Sequence, residues 1–208
     1  MDLPLNATIF TADAVSMYTN IDTKTALRVI TNYLLQNEEL VTTLLFGLPI
    51  MAVTEALQLI MTNNVFRFGD THWLQLSGTA MGTPPAPPYA TLFFAIHEEA
   101  ILEEFKDNLL LYRRFIDDVF GVWIDTPDNT NGFQTFSNRL NDFGLTWEVN
   151  ARSKQVDFMD LTIKVSNNRL ITTLYEKAMN LYLYIPPHSS HPPGVLSGLV
   201  YGNVFRIQ

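Results

Sequence analysis

The sequence predicts an α+β fold, and three observations carry that prediction. Segments of strand period and helix period are interleaved, yet they do not follow the regular βαβ alternation of a doubly wound sheet. One stretch, Leu109 to Ile124, is almost wholly apolar and β-prone, interrupted only by polar residues around Asp117-Asp118. Hydrophobic residues make up 47% of the 208 residues and charged residues only 16%, a composition that can bury a real core.

In chain order, residues 7–14 read as a short strand ending in an acid. Asp22 is placed to cap a helix running to about Gln36, with Leu27, Ile30 and Leu34 on one face. A second helix, Met51 to Thr62, sets Val53, Ala56, Leu57, Ile60 and Met61 at amphipathic spacing. Asn63-Asn64 breaks it, and Val65 to Leu76 reads as a hairpin turning near Gly69-Asp70. Residues 77–88 are rich in Gly and Pro, and a long helix is expected from Tyr89 to Asp107. That helix is apolar first and then acidic, so Glu98, Glu99, Glu103 and Glu104 read as a charged face. After the Leu109–Ile124 hairpin, Phe133, Phe136, Leu140 and Phe143 predict a helix over 132–143. Strands are expected at 145–149, 156–165 and 169–175, the last two joined through Ser166-Asn167-Asn168. The proline-bearing tail from Tyr182 is expected to be irregular.

Composition excludes several classes of chemistry. There is no cysteine, so disulfide frameworks, Cys-based zinc sites and thiol nucleophiles are ruled out. The formal net charge is −8, unevenly spread: residues 1–150 carry 7 basic and 18 acidic side chains, and residues 151–208 carry 6 and 3. An acidic chain is a poor first guess for a nucleic-acid binder. No apolar run reaches the roughly 18 residues needed to span a bilayer, and the start of the chain has no basic segment followed by a long apolar one. The expectation is an intracellular protein with no membrane partner.

The carboxylates are the informative feature. Asp117-Asp118 between two apolar strand segments reads either as a tight hairpin turn or as a metal site. Asn-Gly or Asp-Gly would be the usual two-residue turn, and two like charges at one tip repel unless a cation is shared. Asp13 ends its own strand in Thr11-Ala12-Asp13-Ala14. If the two strands are neighbours, three carboxylates converge, the ligand type that suits Mg²⁺ with substrate phosphates and two-metal phosphoryl transfer. Gln75-Leu76-Ser77-Gly78-Thr79-Ala80-Met81-Gly82 reads either as a connector or as a loop whose glycines let backbone approach a ligand. It is not a Walker loop.

Taken in order, these stretches resemble motifs A, B and C of the reverse transcriptase palm. Motif A is matched by Thr11 to Ile21, motif B by Gly78-Thr79-Ala80-Met81-Gly82 with Ala86-Pro87 and Ala90 to Phe93, and motif C by Tyr112 to Asp118. Within that family the Tyr18-Thr19-Asn20-Ile21 run and the Phe115-Ile116-Asp117-Asp118 box are most similar to Penelope-like retroelements. Val156 to Leu161 resembles the primer-grip region, and Ser189 to Pro193 with Tyr201-Gly202 and Arg206 the start of the thumb.

The resemblance implies a palm of antiparallel strands bearing a carboxylate hairpin and backed by helices, with the fingers largely missing. It implies palm over 1–178, with a partial fingers insertion at about 20–76, and the beginning of the thumb or connection over 179–208. The implied activity is RNA-directed DNA polymerisation on an RNA template and DNA primer, adding dNTPs with Mg²⁺, for which Mn²⁺ could substitute. Asp13 and Asp117 would bind the metals, with Asp118 in support. Ala14, Tyr18, Gln75, Gly78, Met81 and Gly82 would line the nucleotide pocket, and Phe158 and Met159 would touch the primer. Tyr18 stands at the family's steric gate, where a stiff aromatic leaves no room for a 2′-hydroxyl; the less favoured reading of the residue is a core aromatic at a helix start. Phe158 and Met159 likewise suit core packing. Met81 replaces a common Gln, as is usual in the Penelope-like group, and Thr146 stands where a Lys is common. Action in the nucleus of a eukaryotic host follows from the retroelement resemblance. The alternative is a non-catalytic or domesticated palm serving as a nucleic-acid-binding or protein scaffold. Arg113-Arg114 could contact phosphate or balance local charge, and His188 and His191 read as a solvated loop.

Overall fold

A computed structural model describes residues 2–127, 129, 131–142, 144–175, 185–186, 189–192 and 194–207. In chain order its elements are β1 (Thr8–Ala14), α1 (Met17–Asn20), α2 (Thr23–Gln36), α3 (Glu38–Leu44), α4 (Ile50–Thr62), β2 (Val65–Phe68), β3 (Thr71–Leu74), α5 (Ala86–Glu104), β4 (Leu109–Phe115), β5 (Asp118–Trp123), α6 (Gly132–Leu140), β6 (Trp147–Val149), β7 (Gln155–Phe158), β8 (Leu161–Ser166), β9 (Arg169–Leu174) and α7 (Val195–Ile207). Residues 1–175 form one unit and 176–208 a second, which contains α7.

The first unit is organised on a sheet in the order β4-β5-β1-β6, with β1 antiparallel to β5 and to β6. Strand β1 is apolar on both faces because both faces are covered. Phe10, Ala12 and Ala14 point into one core, shared with Phe93, Phe94 and Phe136 of α5 and α6. Ile9 points the other way, into a second core with Phe120, Val122 and Ile163, and Ile163 lies on the separate β7-β8-β9 sheet. Phe10 is fully buried and meets the rings of Phe133 and Phe136 edge-on at 5.1 and 5.5 Å. Burial of such a side chain contributes about 1.5–3 kcal/mol. Gly121 lies opposite Phe10 in register and gives that ring its space.

Several expectations hold. Strand β1, the capped helix α2, the β2–β3 hairpin turning at Gly69-Asp70 and strand β9 lie where the sequence puts them. The Asp22 carboxylate accepts a bond from the Thr25 amide at 2.8 Å. Others change. The long helix begins at Ala86 rather than Tyr89, because Pro87 and Pro88 fall in its first turn, where no amide proton is needed. The expected strand 156–165 is two strands: Phe158 pairs with Leu161 across a turn at Met159-Asp160, and Met159 takes φ +53°. The helix over 132–143 closes at Leu140, and Phe143 lies outside the described residues.

Helix α4 forms where expected and turns Val53, Leu57 and Met61 inward with Ile50 and Thr54, while Ala56 and Ile60 of the expected stripe are exposed. The tail is not irregular throughout. Tyr182, Pro187, His188 and Pro193 lie outside the described residues, but Val195–Ile207 is helical, as a proline-free apolar segment allows. Among the described residues no helix is long and apolar enough to cross a membrane.

Candidate active site

The site is built where β1, β4, β5 and β6 end together. Register sets Asp13 directly opposite Asp118 on one side and opposite Glu148 on the other. Phe115 in turn pairs with Asp118. Directly paired residues of antiparallel strands share a face. Phe115, Asp118, Asp13 and Glu148 therefore form one row across four strands, on the face turned away from α5 and α6. The strand adjacency that the sequence could only suppose is present.

The hairpin turn is Ile116-Asp117, not Asp117-Asp118, since Asp118 already pairs with Phe115 as the first residue of β5. Ile116 takes φ +56° there. A β-branched residue in the left-handed region is strained by roughly 1–3 kcal/mol, and such strain gathers at functional sites. The Asp117 carbonyl accepts from the Ala14 amide at 3.0 Å, which ties the turn to the end of β1.

Charge follows from this geometry. Burial, then the charges of Asp117 and Glu148, push the Asp13 carboxyl up from its ordinary range. Burial, then Asp117 and Asp13, do the same to Asp118. Among the described residues neither these acids nor Asp117 has an ion-pair partner. Hard oxygen donors that repel one another and lack a cation fit a divalent ion by their chemistry. They are not a ready cage: among the described residues no three His, Cys, Asp or Glu side chains are gathered to hold a metal. Mg²⁺ is commonly bound by one or two carboxylates together with substrate phosphates, which needs no such cage.

The expected nucleotide-pocket residues come together in part. Ala14 is buried under Asp13 in the core. Tyr18 follows on α1, half-buried, its hydroxyl pushed up by burial and by the charge of Asp117. The loop at Gly78 is stitched to that segment: the Gly78 amide donates to the Ile21 carbonyl at 3.1 Å and the Thr79 amide to the Tyr18 carbonyl at 2.6 Å. Gly78 has φ +75°, and a Cβ there would fall 2.7 Å from the Tyr18 oxygen. Gln75 donates to the Ser77 carbonyl within its own loop. Met81 is 72% exposed, and Gly82 faces open space.

Phe158 is half-buried and packs on the ring of Phe120 at 5.7 Å, while Met159 is exposed at the β7–β8 turn. His191 is exposed beside Ser189 in the second unit, and His188 lies outside the described residues.

Two acids take places that the sequence does not predict. Glu98 is not on a solvated face: it is 7% exposed and holds Arg114. Arg114 therefore balances local charge, while Arg113 stays exposed. Glu148 joins the carboxylate row, and the alternation after buried Trp147 was the available signal.

No protein-family model and no curated protein matches the chain. Solved structures do. A telomerase from Candida albicans in complex with a TWJ fragment of telomeric RNA superimposes with a TM-score of 0.62 at 11% identity, over 81% of this chain and 30% of that one. An RdRp complex gives 0.57 at 13%, over 80% and 16%. The in situ BmCPV RNA-dependent RNA polymerase at elongation state gives 0.53 at 12%, over 80% and 16%. The chain spans under a third of the length of each of these structures. At such identities the likeness shows the fold alone: this chain shares the fold of the matched part of these telomerase and RNA-dependent RNA polymerase structures.

Proposed function

We propose that the chain is the palm of an RNA-directed DNA polymerase of a Penelope-like retroelement, joining dNTPs to a primer 3′-hydroxyl on an RNA template. The observation that carries this reading is the pairing of Asp13 with Asp118 beside a strained turn bearing Asp117. Mg²⁺, held by Asp13 and Asp117 with Asp118 in support, would supply charge neutralisation and an acidified primer hydroxyl. The chain's own groups do the rest. Asp13 and Asp118, kept repelling by the sheet, favour a cation over solvent. Tyr18, fixed through its carbonyl to Thr79, stands beside Asp117 where it would exclude a 2′-hydroxyl. The half-exposed Phe115 flanks the acids on the same face.

The second reading is a non-catalytic palm used as a scaffold. Primer extension on an RNA template with Mg²⁺ or Mn²⁺, comparing the parent with Asp117→Asn, separates the two. Extension by the parent alone supports the polymerase. Equal extension by both, or none by the parent in a preparation shown to bind primer–template, moves the assignment to the scaffold.

A further inference from the structure

Behind the acids, on the helix side of the sheet, lies a polar network in an otherwise apolar core. The Arg114 Nε meets both Glu98 carboxylate oxygens, at 2.7 and 2.8 Å, and the two side chains are 7% and 9% exposed. The Tyr112 hydroxyl donates to the same carboxylate at 2.5 Å. Tyr112 and Arg114 alternate with Phe115, so they point towards α5 while Phe115 shares the open face with Asp118.

The remaining arms of the guanidinium do not go to Glu98. One donates to the Ile116 carbonyl at 2.9 Å and the other to the Thr91 carbonyl of α5 at 3.1 Å. Arg114 thus ties three things with one rigid fork: a buried acid of α5, the backbone of α5, and the peptide that joins strained Ile116 to Asp117. A buried ion pair is weak evidence for stability, since desolvation offsets its attraction. Burial in fact pushes the Glu98 carboxyl up against the pull of Arg114. Attraction and desolvation oppose one another here, so what the network adds beyond charge pairing is its grip on the Ile116 carbonyl, next to the candidate metal ligand.

We infer that Glu98, Tyr112 and Arg114 form a positioning lock that holds the Ile116 carbonyl and so sets where Asp117 stands relative to Asp13. This rests on the polymerase reading for its catalytic consequence, but not for its structural one. Arg114 is a positioning residue. Its planar fork is what the role needs, because a lysine ammonium keeps the charge but cannot span Glu98, Ile116 and Thr91 together.

Two variants test the lock while avoiding an orphaned buried charge. Arg114→Lys leaves Glu98 paired. The triple variant Glu98→Leu, Tyr112→Phe, Arg114→Met removes the whole network, a change that is often neutral or stabilising. Three readouts are taken: the thermal midpoint, amide hydrogen exchange of residues 115–119 against residues 8–12, and primer extension at saturating and limiting dNTP. The expected result is that both variants fold cooperatively and protect residues 8–12 as the parent does. Exchange at 115–119 rises at least tenfold, and kcat falls about 100-fold with KM within a factor of three, as displacement of a reacting group by about 1 Å would give. Rescue by Arg114→Lys, or parental exchange at 115–119 in the triple variant, overturns the lock. If the parent binds primer–template and extends no primer, the polymerase reading fails, and the exchange arm alone still decides whether the network holds the turn.

Discussion

Gly78 shows what a single residue contributes where two segments of chain must touch. Its amide and the next one bond the carbonyls of Ile21 and Tyr18. An added Cβ would meet the Tyr18 oxygen at 2.7 Å, the Thr19 Cα at 2.8 Å and the Thr19 oxygen at 2.9 Å, all backbone atoms that cannot step aside. Gly82 has a similar positive φ of +90° but nothing within 4 Å. Gly78→Ala should therefore cost several kcal/mol and Gly82→Ala about 1 kcal/mol, the latter from backbone strain alone. Urea melts of the two variants check this; equal losses would mean that the approach to α1 is not what Gly78 is for. The glycines, Asp13, Asp117 and Asp118 were legible because their spacing survives without any knowledge of packing. Glu98 was not. A glutamate in a run of four acids looks solvated until a strand is known to carry Arg114 and Tyr112 against it, and that is a long-range fact.

At the scale of elements, helix α2 and hairpin β4–β5 contrast in what local chemistry settles. Helix α2 is announced by its own cap. The Asp22 carboxylate accepts from Thr25 and is held below the usual carboxylate range by the side-chain and backbone bonds of that residue. A depressed folded value means the cap contributes fully above the ordinary carboxylate pKa of about 3.9 and is lost as pH falls through its lower folded value. Asp22→Ala should cost about 1 kcal/mol at pH 7, with the gap to the parent closing below about pH 4. Thermal melts at pH 7 and pH 3 test the sign; a gap that widens on acidification would sink it.

The hairpin's ends were equally clear from its apolar run, but its turn was not. Nothing in Phe115-Ile116-Asp117-Asp118 favours a positive φ at isoleucine, and the bonds that reach this turn, from Arg114 and from the Ala14 amide, are long-range facts or depend on the strand order. Helix α4 forms where its spacing puts it, but only part of its apolar stripe is covered. Its apolar residues outnumber the neighbours available in this chain, so Met51, Leu59 and Ile60 remain exposed along with Phe66, Phe68 and Trp73 of β2–β3. Periodicity identifies an apolar stripe without saying which part of it is covered.

For the first unit as a whole, the same sheet serves stability and the candidate site, and the two compete. Its faces are covered by separate cores as far as Ala12 and Phe120, beyond which the row Asp118–Asp13–Glu148 brings like charges into direct register. Which strands would flank β1 was beyond the sequence, because the order β4-β5-β1-β6 sets it beside β5 and β6, both more than a hundred residues further along the chain. Once that order is known, the cost of the row can be signed. The Asp118 carboxyl is raised by burial and by Asp117 and Asp13, so its charged form is disfavoured in the fold. A raised value means that the stabilising contribution of the neutral form is present below the ordinary carboxylate pKa and lost as pH rises through the folded one. At neutral pH without metal, the repulsion is therefore fully present.

Asp118→Asn, uncharged at every pH, should raise the thermal midpoint by on the order of 1–3 °C at pH 7.5 in chelator, while reducing extension. The gain should shrink as pH falls through the raised folded value and vanish only below the ordinary carboxylate pKa of about 3.9. Millimolar Mg²⁺ should lift the parent's midpoint more than the variant's, which keeps Asp13 and Asp117 but has lost the supporting carboxylate, since a ligand stabilises in proportion to its affinity for the fold. Calorimetry with and without Mg²⁺ decides it: a variant less stable than the parent in chelator would show that the carboxylate row is held by contacts rather than opposed by charge.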